Sequence, residues 1–340
     1  MFRSTKTFWP NGLQLAMSEF KRVRERSFIV VLMDYGSTLY GTSTKKSDDD
    51  FKGIFLPTPR ELFLGKIPKA WSYKTKADPQ GKNTSGDIDV EIYSLHYFIE
   101  LAIQGQTVAI DMLHAPLEKT YITSDPWEEI KSLRSKFYTK NMNAFVGYAN
   151  RQAAKYGLKS GRLHSVKNLI KFLRSEDYTS EDKLAVPWEQ LPIDEYSKYI
   201  EDSPNGIRQY QICGKICQET QTIGYTIPIL EKFVDVYGER ARQAEANEGI
   251  DWKAVSHAIR AALQLKEIFL TGNLILPLKD ADLLIKIKQG KLHYVKEVAP
   301  ILEGLMDEIT ALASKSLFPN KVNRTFWEDF IIRTIYTHVL

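Results

Sequence analysis

The stretch Tyr35-Gly-Ser-Thr-Leu-Tyr-Gly-Thr-Ser-Thr-Lys-Lys-Ser-Asp-Asp-Asp50 decides how the rest of the chain is read. Before it runs Ser27-Phe-Ile-Val-Val-Leu-Met-Asp34, a continuous apolar segment that suits a strand covered on both faces. After it comes Asp50-Phe-Lys-Gly-Ile-Phe-Leu56, which stops at Pro57 and reads as a second strand of the same sheet. Between the two, Gly36 permits close backbone approach, and Ser37 sets a hydroxyl beside the free amides of a helix start. That combination is a seat for phosphate. Asp48 and Asp50, two apart on the emerging strand, point to one side.

Farther on, Asp87-Ile-Asp-Val-Glu-Ile-Tyr93 alternates strictly, with acids on one side and Ile88, Val90 and Ile92 on the other. Carboxylates from neighbouring strands suit a pair of Mg²⁺ or Mn²⁺ ions. Two such ions about 3.5–4 Å apart stabilise both the attacking and the leaving oxygen of an in-line phosphoryl displacement. Asp89 is the preferred third ligand beside Asp48 and Asp50, with Glu91 and Asp87 open as alternatives on the same face. A calcium loop starting at Asp48 would need an oxygen ligand at its fifth position and Glu at its twelfth, where Lys52 and Pro59 stand.

Gly36-Ser37, nine intervening residues, then Ser47-Asp48-x-Asp50 resembles the signature of minimal nucleotidyltransferases of the DNA polymerase β-like superfamily. Several segments resemble a narrower group, the RlaP or YcgL-like nucleotidyltransferases associated with RNA repair. They are Gly36-Ser-Thr-Leu-Tyr-Gly41, Ser47-Asp-Asp-Asp-Phe-Lys-Gly-Ile-Phe55, Tyr93-Ser-Leu-His-Tyr-Phe98, Gly147-Tyr148 with Gln152, and Lys253-Ala-Val-Ser-His257-Ala-Ile-Arg260 before Thr271-Gly272. The chain departs from that group at Gln104-Gly-Gln106-Thr, where an Asn-Pro pair is common, and at Asp111, where Glu is common.

The resemblance implies Mg²⁺-dependent transfer of a nucleoside monophosphate from a nucleoside triphosphate such as ATP to an acceptor hydroxyl, an RNA end of tRNA type, with release of pyrophosphate. Spacing alone makes Lys253, His257, Arg260 and Gln264 a solvated helix face. The resemblance instead implies that His257 and Arg260, and more weakly Lys253, contact the triphosphate or the acceptor backbone. Two rivals stand beside this reading: a transferase acting on a protein or small molecule, and a nucleic-acid-binding module that keeps the fold without turnover.

The expected fold is α+β, a polymerase β-like mixed sheet with flanking helices at residues 1–122, then a mainly helical nucleotide- and acceptor-binding domain at 123–340. Ser94 is a natural N-cap for a helix burying Leu95, Phe98, Ile99 and Ala102. Residues 65 to 87 read as a basic loop. Helices are predicted over Pro126–Phe137, Met142–Tyr156, Leu163–Leu173, Ile207–Thr222, Asp251–Leu270, Val295–Ala313 and Thr325–His338. Residues 176 to 206, acid-rich with Pro187, Pro192 and Pro204, read as an acidic surface insertion. Tyr148, Arg151 and Lys155 share a helix stripe that Lys159, Arg162, His164 and Lys167 continue, either an exposed helix or a track for a nucleic-acid backbone with Tyr148 or Tyr156 stacked on a base.

Composition is that of an ordinary globular protein, with 43% hydrophobic and 26% charged residues. The net charge of +4 is a mild bias toward polyanions. Cys213 and Cys217, expected on one helical face, are too few for a disulfide framework, and His96 and His114 sit among apolar residues as packing groups. No apolar stretch is long enough to span a membrane, and the first residues lack the apolar core of a secretory signal, so the expected location is the cytoplasm.

Overall fold

A computed structural model describes the chain outside residues 1, 7, 25–26, 46, 76–85, 143–146, 148–159, 176 and 195. Strands β1 (Phe2–Ser4), β2 (Phe28–Asp34), β3 (Asp49–Leu56), β4 (Ala70–Lys74), β5 (Ile88–Ser94) and β6 (Thr120–Ser124) form one sheet in the order β1-β6-β2-β3-β5-β4. The sheet is mixed: β3 and β5 run parallel, and the other neighbours are antiparallel. The continuous apolar run becomes the interior strand β2, whose Val30, Val31, Leu32 and Met33 are fully buried.

Alternation decides the faces of β3 and β5. Phe51, Phe55, Ile88, Val90 and Ile92 pack on one side with Leu13, Ala16, Met17 and Phe20 of helix α1 (Asn11–Val23). The spacing of those four helical residues is that of a single buried stripe, each side chain contributing about 1.5–3 kcal/mol for the larger ones. Asp50, Lys52, Asp89 and Glu91 therefore stand on the opposite face. Short helices α2 (Gly36–Tyr40) and α3 (Pro59–Phe63) follow β2 and β3. Helices α4 (Leu95–Ile103), α5 (Thr107–Leu113) and α6 (Asp125–Ser132) come after β5, and Ser94 caps α4, its Oγ accepting from the Tyr97 amide at 3.4 Å. His114 is indeed a packing residue, its ring nitrogens 2.8 Å from the Ile110 carbonyl and 2.7 Å from the Tyr138 hydroxyl. The segment read as a basic loop contains β4 at the sheet edge, with Trp71 stacked on Tyr73.

The middle of the chain differs from the sequence reading. Helix α7 (Ser160–Leu173) packs on helix α8 (Ile223–Glu245), and between them lies a meander of β7 (Ser197–Ile200), β8 (Gln209–Ile212) and β9 (Lys215–Gln218). The helix expected over 207–222 is thus a hairpin. Tyr210, Ile212 and Cys217 turn inward from its strands, while Cys213 and Gly214 take positive φ of 49° and 82° and make the two-residue turn that pairs Ile212 with Lys215. The two cysteines share no helical face: Cys213 is in the turn and Cys217 in β9. Nor is the acid-rich stretch merely a surface insertion, because Leu184, Trp188 and Leu191 are buried in the same core as Val166, Leu169 and Tyr210.

Helices α9 (Trp252–Thr271), α10 (Ala281–Lys288), α11 (Ala299–Lys315) and α12 (Arg324–His338) complete the chain. Compactness divides it into Met1–Gln152 with Trp252–Leu292 and Ile301–Leu340, and Ala153–Asp251 with His293–Pro300. Helices α9, α10 and α12, and α11 from Ile301 on, therefore return to the unit that holds the sheet, a division that a single boundary at 122/123 does not describe. No helix among the described residues is long and apolar enough to cross a membrane.

Gly53 fixes the β2–β3 spacing, since a Cβ there would lie 2.7 Å from the Val31 carbonyl oxygen. Gly53→Ala is expected to lower stability by about 1–3 kcal/mol. Gly86→Ala, where a Cβ meets nothing within 4 Å, should change it by less than about 0.5 kcal/mol. Urea unfolding of the two variants checks both.

Candidate active site

The site is assembled where β2 gives way to α2. Tyr35 is extended, and its amide donates to the Asp50 carbonyl at 2.8 Å, so the β2–β3 pairing persists to the edge of the turn. Gly36 follows at φ +57°, and a Cβ on it would fall 2.1 Å from Asp50 Oδ2. Glycine is needed here both for the backbone angle and to let a carboxylate lie against the turn. Ser37 Oγ is buried and has no hydrogen-bond partner among the described residues. Gly41 closes the helix at φ +75°, where a Cβ would lie 2.9 Å from Pro277 Cβ, and the Leu278 amide donates to the Tyr40 carbonyl at 3.1 Å.

Helices α9 and α10 form the facing wall. Lys253, Ser256, His257 and Arg260 follow helical spacing on α9, and Ser256 Oγ donates to the Leu284 carbonyl of α10 at 3.0 Å. Together with Tyr35, Gly36, Ser37, Tyr40, Thr42, Asp48, Asp50, Leu284 and Lys288, these residues line a cavity of about 300 Å³. The structure thus brings Gly36, Ser37, Asp48, Asp50, Lys253, His257 and Arg260 to one cavity.

Asp89 does not line that cavity but stands beside it, directly opposite Asp50 in the parallel β3–β5 register and on the same face. Lys74 of β4 holds it, Nζ to Oδ2, at 2.6 Å. Glu91, one rank along, accepts from Lys52 at 2.7 Å and from the Tyr93 hydroxyl at 2.6 Å. Burial works against the Glu91 charge, but those two donors hold its carboxyl below the ordinary range. Asp87 precedes β5 and its carbonyl accepts from the Asp49 amide at 3.0 Å. Of the three open alternatives, register puts Asp89 next to Asp50.

The charges explain one another. Burial pushes the Asp50 carboxyl up to about 6; Asp48 and Asp89 add to the rise, while Lys52 and Lys253 oppose it. Lys288 is held below its ordinary value by burial and by Lys253, against the pull of Asp48 and Asp50. Lys288 is a site residue that sequence reading missed, because a lysine ending a short helix carries no signal until the fold turns it inward. Hard carboxylate oxygens beside an insufficiently neutralised Asp50 are chemistry that fits Mg²⁺ or Mn²⁺. Among the described residues, no three such groups already converge closely enough to enclose an ion.

Behind the cavity lies a second missed residue, Asp111. It is fully buried and accepts from the Tyr40 hydroxyl at 2.7 Å, Gln264 Nε2 at 2.8 Å, Arg260 Nη1 at 3.0 Å and the Tyr35 hydroxyl at 3.3 Å. Arg260 lies over the Tyr40 ring, and its Nη1 also reaches Gln264 Oε1 at 3.1 Å. Burial opposes the charge of Arg260, but the oxygens of Tyr40 and Asp111 outweigh it and hold the pKa up. Part of the guanidinium expected to grip phosphate is therefore turned inward, tying α9 to α2 and α5. The signal was an acid inside the apolar run Val108-Ala-Ile-Asp-Met-Leu113, which must find a buried partner. On the sequence-predicted basic stripe, Tyr148, Arg151, Lys155, Tyr156 and Lys159 lie outside the described residues, and His164 and Lys167 are exposed on α7.

A family model for RlaP, the RNA repair pathway DNA polymerase beta family, matches residues 13–175. The chain is 40% identical over 324 residues to the "Uncharacterized 38.9 kDa protein in nrdC-mobD intergenic region" of Enterobacteria phage T4, covering 89% of this chain and 96% of that protein. A solved structure, the nucleotidyltransferase-like protein from Exiguobacterium sibiricum 255-15, aligns with a TM-score of 0.27 at 7% identity, over 96% of this chain and 80% of the other.

Two stability effects follow from these charges. Folding raises the Asp50 pKa from 3.8 to about 6, so the folded state holds its proton longer than the unfolded state. Stability is accordingly lost as pH rises between those values and stays lost above them. In metal-free buffer, Asp50→Asn is expected to be more stable than the native chain by roughly 2 kcal/mol at pH 7.5, after discounting for partial exposure, and equal to it near pH 3.5. Thermal melts across pH measure this. Asp111→Asn should cost about 3–5 kcal/mol by stranding the Arg260 charge. Adding Arg260→Met should recover part of that loss in urea titrations.

Proposed function

Because the chain belongs to the RNA repair pathway DNA polymerase beta family, we propose that its cavity binds a nucleoside triphosphate and transfers the nucleoside monophosphate to an RNA end. The observation that carries this reading is the placing of Gly36, Ser37, Asp48 and Asp50 on one side of a cavity whose other side presents Lys253 and Lys288. Acids and cations facing each other across a small space suit a ligand that is itself an anion carried with metal.

The roles follow from position. Gly36 leaves room for Asp50 against the turn, and the unpartnered Ser37 hydroxyl donates to a phosphate oxygen. Lys253 and Lys288 offset triphosphate charge, with His257 and the cavity edge of Arg260 beside them. Asp111 acts on Arg260 as a positioning residue. Asp89, next to Asp50 on the neighbouring strand, stands on the acceptor side and promotes loss of the proton from the attacking hydroxyl. That oxygen bonds to the α-phosphorus as the bond to the bridging oxygen breaks, and pyrophosphate leaves. Two Mg²⁺ or Mn²⁺ ions on Asp48, Asp50 and Asp89 would supply charge stabilisation for both oxygens.

The test is incubation of the protein with Mg²⁺, total RNA and each of the four α-labelled triphosphates in turn. Label on RNA is expected, with Asp48→Asn and Asp50→Asn each lowering the rate by roughly 10²–10³-fold or more while melting as folded proteins. Label on protein or in the small-molecule fraction would overturn the RNA acceptor. Full activity in either variant would overturn the role of the carboxylates.

A further inference from the structure

Lys74, Asp89 and Asp50 form one rank across three strands. Asp89 is paired in register with Asp50 on one side and with Lys74 on the other, so the three side chains project from a single face. Lys74 Nζ lies 2.6 Å from Asp89 Oδ2. The next rank holds a similar pair, Lys52 with Glu91, but the two differ in setting. The Lys52 side chain is 15% exposed and shares Glu91 with the Tyr93 hydroxyl, whereas the Lys74 side chain is 61% exposed on the edge strand. One pair is built into the face, and the other is open to water on the lysine's side.

Resting on the metal reading above, we propose that Lys74 is a resident counter-ion for Asp89, which a divalent cation must displace before this carboxylate can ligate. Two carboxylates side by side on neighbouring strands, Asp50 and Asp89, are costly to keep together without positive charge. Lys74 supplies it at Asp89 when no metal is present, as Lys253 does toward Asp50. An exposed lysine releases its partner cheaply, because an ion pair in water is worth only about 0–1 kcal/mol. A divalent ion offers twice the charge and direct coordination, so it prevails. Lys74 therefore weakens metal binding at Asp89, and with it sets how much Mg²⁺ the acceptor side requires. A lysine that served instead as part of the metal or phosphate seat would have the opposite effect when removed.

The test is Mn²⁺ binding to the full chain without nucleotide, by titration calorimetry, for the native protein and Lys74→Gln, Lys69→Gln, Asp89→Asn and the Lys74→Gln/Asp89→Asn pair. Lys69 serves as the charge control, since its ammonium lies over the Tyr97 ring. Lys74→Gln is expected to bind Mn²⁺ about two- to fivefold more tightly, Lys69→Gln unchanged, and the gain to vanish in the Asp89→Asn background. Unchanged or weaker binding in Lys74→Gln overturns the proposal, as does an equal gain with Lys69→Gln or without Asp89. If the native chain takes up no Mn²⁺ beyond an Asp48→Asn/Asp50→Asn variant, the underlying metal reading falls as well. That outcome is distinct from strong native uptake that Lys74→Gln leaves alone.

Discussion

The antiparallel pairing of β2 with β3 is the constraint on which the site depends. It runs up to the Tyr35 amide and the Asp50 carbonyl, so the Gly36 turn and the carboxylate strand are held by the same ladder. The missing side chain of Gly36 then lets Asp50 lie against the turn instead of being pushed from it. Everything else is arranged about that contact. The parallel register of β5 delivers Asp89 alongside. The Asp111 cluster fixes α9 against α2 and so sets the distance across the cavity.

The electrostatic pattern has two layers. In the buried layer, Asp111 takes hydrogen bonds from Arg260, two tyrosines and Gln264, a network that would be costly to open, although Arg260 Nε has no partner in it among the described residues. In the cavity layer, Asp48, Asp50, Lys253 and Lys288 line one small space, and burial, with Asp48 and Asp89 adding to it, holds the Asp50 carboxyl up against Lys52 and Lys253. The first layer gives shape. The second gathers charge of both signs around one cavity and moves the Asp50 pKa away from its ordinary value.

Much of this was legible in the sequence where the signal was local. A continuous apolar run gave β2, strict alternation gave the faces of β5, and Ser94 marked the start of α4. The Gly36-Ser37 and Asp48-x-Asp50 spacing pointed to residues that do meet. What could not be read were facts of register and return. Lys74 sat in a stretch that looked like a loop, and nothing local says that an edge strand sets it beside Asp89. Lys288 and Asp111 acquire meaning only once α10 and α5 are packed. The hairpin at Cys213 and Gly214 reads as helix in the sequence because its apolar residues, at irregular intervals, fit either period over so short a span.

The sheet-bearing unit is interrupted by Ala153–Asp251, and this gives the order of synthesis a consequence. A ribosome releases the turn, the acids and Asp111 early, but α9 and α10 only after that whole segment has been made. Until then the nascent sheet has no lysine wall for Asp48 and Asp50, and Asp111 has no arginine. The half-made protein thus has Lys52 but not yet Lys253 beside Asp50, and Asp111 without the guanidinium it pairs with in the finished fold. Its cavity is a late product of translation, completed when Lys288 emerges.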